Sequence, residues 1–382
     1  MLLKVPETEA FEEELSVTAS TLSEVAKLAG VSPATASRVL NGSARTPAPE
    51  IAERVRQAAD ALGYIANAQA QGLAKARSGL IGLIVHDIAD PYFSAIARGV
   101  QAAAREQHKM VLLATTEGTP TDERAAVAAF AARRADSIVI AGSRSTQPGD
   151  KGSNAELAAE LDRYCRNGGK VGVVGHGIIG ASQTDGYHVV SVPNEELAAE
   201  LAAKLAAGNH GGFVIIGGPE GRLTSDDRIR GFQRGLADAG RPKAEVIRSR
   251  FDREGGYEAG LQLAARIKAG QTAGAERSTG SAGARLCIFA ANDVMAIGAV
   301  AALRSQGLRI PRDALIAGFD DIETLRDFRP ALTTVSLPLE EIGKLATLGS
   351  SNEREAGEEL STHSAVTGAV VLRRSTETSP SA

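Results

Sequence analysis

Residues 21–41, TLSEVAKLAGVSPATASRVLN, hold two helices joined by a Gly-Val-Ser turn. Thr21 and Glu24 have capping-box spacing: the threonine hydroxyl takes a free amide while the glutamate reaches back. Val25, Ala26, Leu28 and Ala29 supply an apolar stripe, and Gly30 ends the helix with the positive φ that a tight turn needs. Val31 plugs the corner. Ser32 then caps a second helix with Pro33 in its first turn, where a missing N–H costs nothing. That helix, residues 33–41, opens on the short side chains Ala34, Thr35 and Ser37 beside Arg38, a surface able to lie deep in a major groove. A third helix, residues 49–62, repeats apolar residues at Ile51, Val55, Ala58, Ala59 and Leu62 and closes a small core. The pattern reads as a helix-turn-helix DNA-binding head. An ordinary helical bundle is the competing reading, but it leaves the short turn and the polar start of the second helix unexplained.

The charge distribution agrees. The chain has 382 residues, long for one domain, and its 43% hydrophobic content can fill a large core without disulfide or metal. A net charge of −4 argues weakly against nucleic acid, but it is unevenly placed. Residues 1–20 carry one Lys and five Glu, net −4; residues 21–79 carry seven Lys or Arg and four acids, net +3. A basic module behind an acidic, pattern-free tail, read as disordered, suits a DNA-facing end. Cys165 and Cys287 lack metal-ligand spacing and read as buried apolar residues in a reducing compartment. No apolar run of about eighteen residues occurs, and the N-terminus is acidic. Neither a membrane span nor an export signal is expected, and the expected location is cytoplasmic.

From residue 80 short apolar runs alternate with amphipathic stretches. Runs 80–85, 110–114, 137–141, 170–174, 189–192, 213–217, 246–249, 286–290, 315–318 and 333–336 read as strands. Stretches 95–107, 122–133, 194–207, 228–239, 254–269 and 294–306 read as helices. Such alternation means parallel sheets wound on both faces, with too many strands for one small sheet. The expected fold is therefore a small all-α helix-turn-helix head plus an α/β body of two doubly wound parallel-sheet subdomains. A ligand belongs in the crevice at the carboxyl ends of their strands. Residues 271–284, rich in Gly, Ala, Ser and Thr, read as a surface insertion.

The chain resembles the LacI/GalR family of bacterial regulators. In the head the match runs through Thr21-Leu22, Val25-Ala26, Ala29-Gly30-Val31-Ser32, Thr35, Ser37-Arg38-Val39, Asn41-Gly42 and Leu62-Gly63-Tyr64. In the body it runs through 81–85 (IGLIV), 90–93 (DPYF), 228–232 (RIRGF), 291–296 (ANDVMA), 318–321 (GFDD), 332–334 (LTT) and 372–376 (LRRST). The resemblance implies a major-groove-reading second helix, with Thr21, Ser32, Pro33, Ala34, Thr35, Ser37, Arg38 and Asn41 as DNA contacts. It implies a hinge helix at 66–74 that orders on specific DNA, with Asn67 on the DNA and Leu73 as a minor-groove wedge. The family usually has Pro where Ala66 stands and often Arg where Gln71 stands, and Gly72 costs a helix up to about 1 kcal/mol. A less ordered hinge is expected. The implied organisation is a tail (1–20), head (21–65), hinge (66–79), periplasmic-binding-protein-like effector body (80–376) and second tail (377–382).

Candidate effector contacts follow strand ends: His86, Asp90, Tyr92 and Phe93, then His176, Arg228, Phe251, Asn292 and Asp320. Carboxylates, an amide and a guanidinium suit ring hydroxyls, while aromatic faces suit the C–H side of a sugar or polyol. Plain alternatives exist: a salt bridge for Arg228 or Asp320, core packing for Phe93 or Phe251, a satisfied polar residue for either histidine. The family usually has Asn where Asp90 stands and Pro where His86 stands, and often Gln where Leu337 stands, so no single member's ligand is implied. No nucleophile elbow, P-loop or Cys-x-x-Cys occurs, so neither an enzyme nor a metal or other cofactor is expected. A transport solute-binding protein would share the body but need an export signal and no head. A regulator of this fold sensing a purine or a phosphoprotein stays open. The expected assembly is a homodimer on a palindromic double-stranded DNA operator, acting as a repressor. Without leucine heptads after Thr376, no tetramerisation coil is expected.

Overall fold

The structure, a computed structural model, describes residues 20–41, 47–65, 78–182, 186–208, 210–270, 285–350 and 363–377. The chain divides into two compact units, Met1–Ser78 and Gly79–Ala382. Ala66, Asn67, Gln71, Gly72 and Leu73 of the expected hinge lie outside the described residues, as do tail residues 1–19 and the insertion at 271–284.

In the first unit α1 (Leu22–Leu28), α2 (Pro33–Asn41) and α3 (Pro49–Ala61) enclose Val25, Ala26, Ala29, Ala36, Val55, Ala58 and Ala59. The capping box forms: Thr21 Oγ1 accepts from the Glu24 amide at 3.3 Å, and Glu24 Oε2 accepts from the Thr21 amide at 2.7 Å. Gly30 turns the chain at φ 64°, and Ser32 Oγ accepts from the Thr35 amide at 3.2 Å. Two expected core residues face out: Leu28 is 58% exposed and Leu62 37%. Val25, Ala26 and Ala29 define the buried arc of α1. Leu28 lies about 60° round from Val25 on the side away from Ala26, outside that arc.

The second unit holds two parallel sheets. The first uses β1 (Leu80–Val85), β2 (Met110–Thr115), β3 (Ser137–Ala141), β4 (Lys170–Val174), β5 (Tyr187–Ser191) and β11 (His363–Ala365), in the order β2-β1-β3-β4-β5-β11. The second uses β6 (His210–Gly217), β7 (Glu245–Arg248), β8 (Arg285–Ala290) and β9 (Ala314–Ala317), in the order β7-β6-β8-β9. A short antiparallel pair, β10 (Thr334–Ser336) with β12 (Ala369–Val371), completes the second subdomain. Ile81, Leu83, Ile84, Val139, Ile140, Ile215 and Ile216 are fully buried, as strands covered on both faces require.

Helices supply the cover. α4 (Pro91–Glu106), α5 (Pro120–Ala132), α6 (Lys151–Arg166) and α11 (Leu339–Gly349) wrap the first sheet. α7 (Asn194–Ala206), α8 (Leu223–Asp238), α9 (Arg253–Lys268) and α10 (Asp293–Ser305) wrap the second. Among the described residues the chain crosses between subdomains after β5 at Val192-Pro193, after β10 at Leu337-Pro338, and between β11 and β12. Strand boundaries match the sequence reading to within two residues, except that β6 begins at His210 rather than at 213. α8 differs, beginning at Leu223, so Arg228 lies inside that helix rather than opening it.

Candidate functional site

In each sheet the chain leaves its first strand to one side and its third to the other, so the loops beyond those two strands diverge and open a crevice. The two crevices face each other across a cavity of 730 Å³. His86, Asp90, Tyr92 and Phe93, past β1, line it together with Gly142 and Ser143, past β3. From the second subdomain come Arg222, Thr224 and Arg228, with Phe251, Asn292 and Asp320.

Arg228 organises the second wall. It is 2% exposed, and its Nη2 donates to Asp320 Oδ1 at 2.7 Å while Nη1 reaches Asp320 Oδ2 at 3.3 Å. Nη1 also donates to the Ala291 carbonyl at 2.7 Å and Nε to Asn194 Oδ1 at 2.9 Å, and the guanidinium lies 3.8 Å over the Phe319 ring. Burial raises the Asp320 carboxyl to about 6, because the charge and hydrogen bonds of Arg228 offset it only in part. Asp320 itself sits at φ 113°, a conformation that costs about 1–3 kcal/mol and holds a loop tightly where its carboxylate must face the cavity. Asn292 caps α10, accepting from the Met295 amide at 2.8 Å.

The first wall carries a second buried pair. Arg144 Nη1 and Nη2 donate to Glu123 Oε2 and Oε1 at 2.5 and 2.9 Å. His86 lies against this pair with Nε2 3.6 Å from Glu123 Oε1, too far for a hydrogen bond, and burial pushes its imidazole toward the neutral form. Gly142 is needed here, since a Cβ on it would fall 1.9 Å from His86 Nε2. Asp90 caps α4, accepting from the Tyr92 amide at 2.9 Å. Burial raises its carboxyl to about 6 against that bond, with help from the charges of Asp320 and Asp87. Phe93 packs between His86 and Tyr92, with ring centroids 5.4 and 5.0 Å away, and burial pushes the Tyr92 phenol up.

One flank of the cleft is joined by direct bonds. The Thr146 amide donates to the Gly221 carbonyl at 2.8 Å and the Leu223 amide to the Arg144 carbonyl at 3.0 Å. Arg222 Nη1 donates to the Gly118 and Ser143 carbonyls at 3.2 and 3.0 Å, and the Thr224 amide to Ser143 Oγ at 3.1 Å. His176 belongs to this flank: its Nε2 is 2.6 Å from Asp227 Oδ2, and it does not line the cavity, contrary to the sequence expectation. The turn after β4 points it along the cleft edge toward α8, where a carboxylate takes its polar end.

On the head, Ser32 just before α2 and Pro33, Ala34 and Arg38 within it are exposed, as is Thr21 just before α1. Thr35 Oγ1 is 2.9 Å from Ser32 Oγ, and Ser37 Oγ accepts from Asn41 Nδ2 at 2.9 Å, so these polar residues also brace the helix.

Two family models match: bacterial regulatory proteins of the lacI family over residues 21–67, and a periplasmic binding protein-like domain over residues 202–376. The HTH-type transcriptional regulator GalS of Salmonella typhimurium is 31% identical over 332 residues, spanning 86% of this chain and 88% of the relative. The chain belongs to the LacI family. The HTH-type transcriptional repressor PurR of Vibrio parahaemolyticus is 30% identical over 328 residues, 86% of this chain and 90% of the relative. A lac repressor dimer bound to operator and the anti-inducer ONPF has a TM-score of 0.72 at 22% identity, covering 94% of this chain and 99% of that one; this likeness shows the fold. As a LacI-family member the chain is a DNA-binding transcriptional regulator, and the relatives are regulators, not enzymes. Among the described residues no helix is long and apolar enough to cross a membrane, and no group of side chains is arranged to hold a metal ion.

Seven of the nine effector candidates read from the sequence meet at the cavity: His86, Asp90, Phe251, Asn292 and Asp320 past strand ends, and Tyr92 and Phe93 in the first turn of α4. Arg228 joins them from within α8, and His176 does not. The sequence reading missed Ser143, Arg222 and Thr224. Ser143 stands two residues past β3, where the strand-end rule applies equally; Arg222 and Thr224 stand at the start of α8, which no capping side chain marks in the sequence.

Proposed function

We propose that this LacI-family regulator is a repressor in the bacterial cytoplasm that binds a palindromic operator as a homodimer and is controlled by a small sugar or polyol in the 730 Å³ cavity. The observation that carries the reading is this cavity, walled by both subdomains, on the same chain as an exposed Ser32-Pro33-Ala34 and Arg38 surface. Asp90, Asn292 and the Arg228–Asp320 pair offer acceptors and donors to hydroxyls, and Phe93 and Phe251 offer faces for C–H groups. Closing or opening the cleft would bias the dimer between DNA-binding and released states by no more than the ligand's preference for one of them. A purine is the second reading, favoured by Tyr92, Phe93 and Phe251 around one cavity and by the PurR relatives.

A gel shift on DNA upstream of the protein's own gene tests the regulator reading. Binding should be salt-sensitive and palindrome-dependent, and Arg38→Ala should weaken it roughly 10-fold or more. Equal affinity for a scrambled site overturns it. A thermal-shift screen of sugars, polyols and nucleobases tests the ligand class: stabilisation by nucleobases alone replaces the sugar with a purine.

A further inference from the structure

We propose that the effector carries an anionic group, a carboxylate or a phosphate, and that Arg222 is the residue that selects it. The proposal rests on reading the cavity as the effector site and adds a chemical class to that reading.

Arg222 lines the cavity half-buried, and among the described residues no carboxylate lies within ion-pair distance of it. Both protons of its Nη1 are used on the Gly118 and Ser143 carbonyls. Nε and Nη2 make no hydrogen bond among the described residues. These two nitrogens form the edge of a guanidinium that receives a carboxylate or phosphate in bidentate fashion. Nη1 fixes the plane of the fork, so the edge is oriented before a ligand arrives, which lowers the entropic cost of using it.

The surroundings favour donors over acceptors. Ser143 Oγ accepts from the Thr224 amide, so its own proton remains to be placed, and Thr224 lines the same corner. The nearest acids are committed elsewhere: Asp150 takes the Ser145 hydroxyl and Glu123 takes Arg144. The neighbouring Arg144 adds positive charge, and burial together with that charge pushes the Arg222 guanidinium down. An incoming anion relieves both. Arg228, by contrast, is already held by Asp320, and Asp90 sits on the opposite wall. Asp87, Glu117 and Asp252 are exposed at the mouth, where water screens them. The cavity thus has an unmatched cation at one end and hydroxyl-binding groups at the other, the complement of a sugar acid or a sugar phosphate.

The test uses calorimetry on the full chain with matched probes: glucose, gluconate, glucuronate and glucose 6-phosphate, the same series on galactose and ribose, and adenine and hypoxanthine. The expected result is an acid or ester bound at least roughly 10-fold tighter than its neutral parent, with Arg222→Gln removing that preference and Arg222→Lys retaining part of it. The acid and ester arms tell a carboxylate from a phosphate. Melting temperatures of the unliganded variants show that the fold survives loss of the Gly118 and Ser143 bonds. The proposal is overturned if a neutral sugar or nucleobase binds tightest, if no anionic probe binds, or if anion preference survives in Arg222→Gln. Phe251→Ala separates the two levels. A neutral ligand lost in Phe251→Ala keeps the effector cavity and removes the anion, whereas a ligand indifferent to both variants removes the cavity reading.

Discussion

Each subdomain has a buried arginine–carboxylate pair beside the cavity: Arg228 and Asp320 line it, Arg144 and Glu123 sit behind its lining, and the pairs behave differently. In the first subdomain burial works to raise the Glu123 carboxyl, but the charge of Arg144 and the surrounding hydrogen bonds outweigh it, and the carboxyl falls to about 2. In the second subdomain burial raises Asp320 to about 6 despite a bidentate contact with Arg228. The difference lies in what faces each carboxylate: Glu123 has the His86 ring as well as Arg144 against its burial, whereas Asp320 has Arg228 alone. Among the described residues Arg144 gives two close bonds to Glu123 and has one further partner, the Gly142 carbonyl. Arg228 divides its donors among Asp320, Ala291 and Asn194, and Asp320 also faces the cavity. One pair is a brace for the loop that carries Ser143. The other is a carboxylate kept short of its full compensation, ready to take hydrogen bonds from something else.

The most severe way to break this contrast is Glu123→Gln. It strands Arg144, 4% exposed, without its counter-charge, and urea unfolding should show a loss of about 3–5 kcal/mol at pH 7. Replacing both partners together, Glu123→Leu with Arg144→Met, should cost far less, because no charge is then left buried. The pH profile gives the sign independently. A carboxyl lowered from 4.5 to about 2 contributes stability above pH 4.5 that disappears as the pH falls toward 2. The gap between wild type and Glu123→Gln should close over that interval, and a gap independent of pH would refute the brace.

On the opposite wall the expected loss is in ligand affinity. Asp320→Asn keeps an acceptor for Arg228 but removes a charged acceptor from the cavity, so the effector found by screening should bind roughly 10- to 100-fold more weakly. Glu123→Gln, measured well below its lowered melting temperature, should bind within a few-fold of wild type. If the two variants exchange these outcomes, the assignment of brace and ligand group is reversed.

What the sequence made legible follows the same division between local and shared chemistry. Thr21, Glu24, Gly30 and Ser32 each act on backbone within four residues, so the head could be read almost residue by residue. Strands β1, β3 and β4 declare themselves by apolar runs that only burial on both faces explains. β11 and β12, three residues each, are too short to show a pattern. α8 begins without a side-chain cap at Arg222, so nothing in the sequence marks its start or the place of Arg222 and Thr224 beside it. Ser143 and Arg222 gain their meaning from each other across the cleft, 79 residues apart, and spacing alone does not reveal such a pair. His176 shows the converse error: a strand-end position brings a residue to the cleft, but Asp227 decides where its ring goes.

The smallest expected effect concerns Asp90, which stands on the first wall yet resembles Asp320 in its titration. Its carboxyl is raised from 3.8 to about 6, mainly by burial, with no arginine bonded to it. Ionising it therefore works against the fold: wild type loses stability from this group as the pH rises from about 4 through 6. Asparagine caps a helix as well as aspartate and keeps the acceptor for the Tyr92 amide, while never ionising. Asp90→Asn should thus be more stable than wild type by roughly 1–2 kcal/mol at pH 7.5 and indistinguishable from it at pH 4, read from paired thermal melts. Equal melting temperatures at both pH values would mean that the Asp90 carboxylate is solvated through the cavity mouth, and the contrast between the walls would then rest on Glu123 and Asp320 alone.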